Sequence, residues 1–141
     1  MTPEQKQLVQ MSWRQVEPIA PLAADIFYNT LFEMDPGLRP LFKGDIAEQG
    51  RKLMTMIGAA VGMLDRLDDL VPVVQRLGER HATYGVTVAD YSTVAAALLK
   101  TLETGLGPAF TPEVKAAWVA VYGVLSQTMI DAAAGVRRSV A

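Results

Sequence analysis

Cysteine is absent from the 141 residues, and histidine occurs once, at position 81. The first absence excludes disulfides and is compatible with a reducing compartment. The second leaves His81 as the only imidazole that a borderline metal could bind. One imidazole cannot build a zinc site, which wants about four protein ligands when structural and about three when catalytic. Long hydrophobic runs are missing as well. The longest, Leu53 to Leu64, covers 12 residues and is too short to span a bilayer. Met1-Thr2-Pro3-Glu4-Gln5-Lys6 is polar and does not open a signal peptide. No charge of one sign dominates, since 13 basic and 15 acidic residues leave a net charge of −2. Lys and Arg are scattered without an aromatic–basic stripe, so nucleic acid is not an expected partner. Arg137-Arg138 reads as a solvated tail. A soluble cytoplasmic protein without a membrane span is expected.

What is present is helical. Half of the residues are hydrophobic, and the length suits one domain, residues 1–141, with a real core. Thr2-Pro3-Glu4-Gln5 resembles a capping box and starts a helix carrying Leu8, Val9, Ser12, Trp13 and Val16. Pro18 and Pro21 interrupt and restart the run. Leu22, Ile26, Phe27 and Leu31 then mark a second helix ending near Asp35-Pro36-Gly37. Pro40 fits the first turn of a short segment with Leu41 and Phe42, broken at Gly44. The next helix runs from Ile46 to Leu64, with Gln49, Leu53, Met56 and Ala60 on one face. Asp65 to Asp69 form a polar corner. Leu70, Val74, Leu77 and His81 trace the face of another helix, closed by Gly85. Two longer segments, Asp90 to Leu106 and Thr111 to Ala134, flank a turn at Gly105, Gly107 and Pro108. The expectation is an all-α fold of about seven to eight helices, one layer packed on another.

Taken alone, His81 has two readings. It is either an ordinary surface or core-edge histidine, or the anchor of an iron whose in-plane ligands come from a porphyrin. Haem needs only one proximal imidazole. A ligating imidazole also needs its second nitrogen protonated and held, and the carbonyl of Leu77, one helical turn back, can accept that hydrogen.

Leu106-Gly107-Pro108-Ala109-Phe110-Thr111-Pro112, followed by Ala116-Ala117-Trp118 and Tyr122-Gly123, resembles the final two helices of neuroglobins. Tyr91-Ser92-Thr93-Val94, Leu98-Leu99 and Leu77-Gly78-Glu79-Arg80-His81 extend the likeness upstream, with Ser12-Trp13-Arg14 and Leu41-Phe42 near the start. The resemblance covers almost the whole chain and points to neuroglobin-like, single-domain bacterial globins. It implies a globin fold around haem b, with His81 as the iron ligand and Phe42 packed on the porphyrin. It places Gln49 at the distal position, where neuroglobins carry a second histidine, and Tyr28 over the iron from the second helix. Leu53 is implied as an apolar wall beside the gas, and Val86 and Tyr91 as proximal lining. Lys52, Lys43 and Arg80 are candidate propionate partners, with ordinary surface charge as the alternative. Without the resemblance, Tyr28 and Phe42 read as packing aromatics and Gln49 as an exposed polar residue.

Tyrosine hydroxyls and glutamine amides are both hydrogen-bond donors. Dioxygen gains negative charge on binding ferrous iron, so a Tyr28–Gln49 pair implies high oxygen affinity, with carbon monoxide and nitric oxide as further ligands. The alternative is nitric oxide dioxygenation, because flavohaemoglobins carry the same pair. The chain shows no flavin or nicotinamide module, so an external reductase is expected to be needed. Tyr91 matches the tyrosine that polarises the proximal histidine in that family, but Ala133 stands where its glutamate is expected. A gas sensor ranks third, since it needs an output element that the short segment after Ala134 does not offer.

Overall fold

A computed structural model describes the backbone of residues 1–42 and 44–140 and the side chains up to residue 135. Lys43 and the side chains of Arg137 and Arg138 lie outside the described residues. Six α-helices and three short 3-10 segments make up the described secondary structure, with no strand among the described residues. They are α1 (Pro3–Val16), α2 (Ala20–Met34), α3 (Ile46–Gly62), α4 (Leu67–Thr83), α5 (Val88–Leu106) and α6 (Pro112–Val140). The expected all-α class holds; the extra helices of the expectation are the 3-10 turns.

Local chemistry sets the helix ends. The Thr2 hydroxyl accepts from the Gln5 amide at 3.1 Å, and the Gln5 side chain accepts from the Thr2 amide at 2.9 Å. Thr87 and Asp90 repeat the device at the start of α5. Asp45 caps α3 by accepting from the Ala47 amide at 2.9 Å. Pro18 and Pro21 do not separate α1 from α2 by a loop, since a single 3-10 turn, Glu17–Ile19, joins them. The polar corner before α4 is shorter than expected. Asp68 and Asp69 lie in the first helical turn, where carboxylates meet unpaired amides and the positive end of the helix dipole. At the other end, α6 continues past Ala134 to Val140.

On α3 the expected face needs correction. Met56 is 43% exposed, whereas Met54 is 7% exposed and belongs to the core. The reason is the crossing with α2. A Cβ on Gly50 would lie 2.9 Å from Cβ of Ala24, so the two helices approach closely there. The buried stripe follows from that point through Gly50, Met54 and Val61.

A second close crossing joins α4 to α6. A Cβ on Gly78 would overlap the carbonyl oxygen and Cα of Met129. Between α1 and α6, Trp13 and Trp118 pack with ring centroids 6.1 Å apart, and Trp118 Nε1 donates to Ser12 Oγ at 2.8 Å. Consecutive helices α3 and α4 do not pack along one another: α3 lies on α2, and α4 on α6. Helix α1 touches both α3 and α6 and so links the two supports.

Gly78→Ala is expected to lower the melting temperature. The methyl group gains about 1 kcal/mol of helix propensity, but the overlap with helix backbone costs about 1–3 kcal/mol by overpacking. Gly123→Ala, where a Cβ meets nothing within 4 Å, is the control and is expected to be neutral or stabilising. Equal melting temperatures for the two variants would show that the α4–α6 contact is not tight.

Candidate functional site

His81 occupies the last turn of α4 and is half-buried. Its Nδ1 lies 2.8 Å from the carbonyl oxygen of Leu77. A carbonyl only accepts, so Nδ1 carries the hydrogen and Nε2 keeps its lone pair. Burial holds the imidazole below the ordinary histidine range; the Leu77 carbonyl opposes this, and the Arg80 charge adds to it. The ring is thus neutral near neutral pH, the form that binds a metal. Tyr91 stacks beside it at 6.4 Å with planes 25° apart, and Tyr84 lies at 6.3 Å. After the helix, Gly85 adopts a φ of +88°, which favours glycine, and turns the chain so that the Val86 amide donates to the His81 carbonyl at 3.2 Å. Leu77, His81, Val86 and Tyr91 are thereby gathered into one cluster.

Tyr91 is itself anchored. The Tyr122 hydroxyl donates to the Tyr91 carbonyl at 2.7 Å, tying α5 to α6 beneath the histidine's neighbour. Burial, reinforced by Tyr91, pushes the Tyr122 phenol up. A cavity of about 460 Å³ opens between α5 and α6; of the expected site residues it shares only Tyr91.

A second cluster forms where α2 crosses α3. Tyr28 is 4% exposed, with its ring edge-on to Phe27 at 5.2 Å and to Phe42 at 5.3 Å and stacked on Phe32 at 5.8 Å. A Cβ on Gly50 would sit 3.6 Å from Tyr28 Cε2, so the ring lies against α3 at the residue following Gln49. Burial pushes the Tyr28 phenol up to about 12, so the hydroxyl remains a donor throughout the physiological range. Gln49 stands half-buried in the first turn of α3, and Leu53 is half-buried one turn further on. Lys52 and Arg80 are exposed, as either reading of them requires. Phe32 was not among the expected site residues, although its spacing of four from Tyr28 on one helix is the signal that finds it. Tyr84, three residues after His81, is a comparable omission.

Among the described residues, no three His, Cys, Asp or Glu side chains come together to hold an ion. The donor set fits a metal that arrives with its own in-plane ligands. One neutral imidazole presents Nε2, and Phe42, Gln49, Leu53, Leu77 and Val86 are all half-buried, which suits the walls of a crevice.

The chain matches the globin family over residues 25–129. It is 30% identical to the neuroglobin of Danio rerio over 143 aligned residues, covering 92% of this chain and 90% of that protein. Among solved structures, an engineered carbene transferase from Rhodothermus marinus has a TM-score of 0.89 at 25% identity. It covers 99% of this chain and 98% of its own, and its parent is provisionally designated a nitric oxide dioxygenase. A bacterial globin from Campylobacter jejuni gives 0.85 at 24% identity, with 97% and 99% covered. The helical fold and the family match define a class, that of helical haem proteins binding diatomic gases. The chain belongs to the globin family.

The Tyr28 phenol is expected to ionise near pH 12 rather than near pH 10, read as the ultraviolet difference titration between the protein and its Tyr28→Phe variant. Its folded-state value is raised, so the stability it contributes is full below pH 10 and lost between pH 10 and 12. Ionisation near pH 10 would mean that the ring is not enclosed as described.

Proposed function

We propose that the chain is a single-domain cytoplasmic globin that holds haem b and binds dioxygen reversibly, with carbon monoxide and nitric oxide as further ligands. The observation that carries this reading is the 2.8 Å contact between His81 Nδ1 and the Leu77 carbonyl. It fixes the tautomer and points the chemistry at Nε2, as a proximal ligand requires. Haem, when bound, would supply the iron that takes up the gas. His81 would hold that iron through Nε2. Phe42, Leu53, Val86 and Tyr91 supply apolar and aromatic walls, and Lys52 and Arg80 meet the propionates. Lys43, a third candidate for that role, lies outside the described residues.

On the gas side the chain has no second imidazole to offer, since His81 is its only histidine. Tyr28 on α2 lies beside Gly50, the residue that follows Gln49 on α3, and in this reading both act as donors to the ligand. Hydrogen bonds to charged groups contribute about 1.5–3 kcal/mol, and about 1.4 kcal/mol is tenfold in affinity. The pair therefore favours dioxygen, which becomes negatively charged on binding, over neutral carbon monoxide.

Nitric oxide dioxygenation with an external reductase is the second reading, and the likeness to the Rhodothermus marinus protein favours it. The proximal side ranks it lower. His81 Nδ1 faces a neutral amide carbonyl, and position 133 holds a buried alanine that cannot polarise the ring.

Two substitutions test the proposal. Tyr28→Phe is expected to speed oxygen release about tenfold in stopped-flow measurements, from the loss of one strong hydrogen bond; an unchanged rate would contradict the donor role. His81→Ala is expected to lose stable haem unless imidazole is added. A normal haem spectrum without imidazole would refute the ligand assignment.

A further inference from the structure

Phe42 sits where no regular element holds it. The 3-10 segment Pro36–Leu41 ends immediately before it, its own backbone is extended, and Gly44 takes a φ of +85° two residues later. Arg39 secures it from both sides. The Phe42 amide donates to the Arg39 carbonyl at 3.1 Å, and Arg39 Nη1 donates back to the Phe42 carbonyl at 2.7 Å. The same guanidinium lies over the Phe32 ring at 5.6 Å. Phe32 in turn meets Phe42 edge-on at 5.5 Å, and both touch Tyr28. One exposed arginine therefore closes a ring of contacts that includes the ring of Tyr28.

We propose that Arg39 is a positioning residue: it clamps Phe42 and, through the Phe32–Phe42–Tyr28 cluster, sets haem retention and the placement of the Tyr28 hydroxyl. This rests on the reading of Phe42 as a haem contact. The chemistry requires arginine in particular. A planar guanidinium stacks on an aromatic face while a nitrogen at its edge donates in a fixed direction. Lysine offers the same charge as a hydrated point on a flexible stem, and it cannot satisfy both geometries together.

The test uses haem-loaded protein, its Arg39→Met and Arg39→Lys variants, and two readouts. One is the rate of haem transfer to excess apomyoglobin. The other is the set of proton NMR contacts among the Phe32, Phe42 and Tyr28 rings in the carbon monoxide complex. Both variants are expected to weaken the Phe32–Phe42 contacts and to lose haem about threefold to tenfold faster, the range for one such interaction. Wild-type behaviour of Arg39→Lys in both readouts would reduce the role to surface charge and overturn the clamp. Unchanged ring contacts in Arg39→Met would overturn it as well. Altered ring contacts with an unchanged transfer rate would instead remove Phe42 from the haem and take the proposal down with that assignment, leaving His81 untouched.

Discussion

A hydrogen bond one helical turn long governs the chemistry open to this chain. The Leu77 carbonyl holds the only imidazole in a single tautomer, and burial keeps that imidazole neutral. A helix C-terminus ordinarily favours a charged histidine, because its carbonyls are unpaired and partly negative. Here the Leu77 carbonyl, further inside the helix, orients the ring, and burial outweighs the pull towards protonation. The outcome is a neutral nitrogen donor at a defined place. Without cysteine or a second histidine, a stable metal site on this donor needs a macrocycle to complete it.

Close helix crossings bring the two clusters into position. Gly50 lets α3 approach α2 until the Tyr28 ring lies beside the first turn of α3, and Gly78 lets α4 sit against α6 one turn before His81. Helices α3 and α4 take their main support from different partners, α2 and α6. Burial acts in the same sense in both clusters, holding the His81 base towards its neutral form and the Tyr28 phenol protonated.

Much of this was legible in the residues. Caps depend on local contacts, so Thr2 with Gln5 could be read directly, as could the spacing of four between Leu77 and His81. Helix faces were less secure. Periodicity placed Met56 inward and passed over Met54, because the inward stripe of α3 is fixed by where it crosses α2. Asp68 and Asp69 looked like a corner since acidic residues suit both turns and first helical turns. The nearness of Tyr28 to Phe42 came only from resemblance to globins, as no pattern along the chain relates α2 to the segment before α3. Arg39 gave no signal at all. Its partners are a backbone carbonyl and a ring face, which leave no trace in side-chain composition.

The optical and resonance Raman spectrum of the reduced, haem-loaded protein without added gas tests the central claim most directly. A lone histidine ligand with nothing of its kind opposite predicts a five-coordinate, high-spin ferrous spectrum that converts to an oxygen complex in air. A fully low-spin, six-coordinate ferrous spectrum in the absence of gas would contradict it.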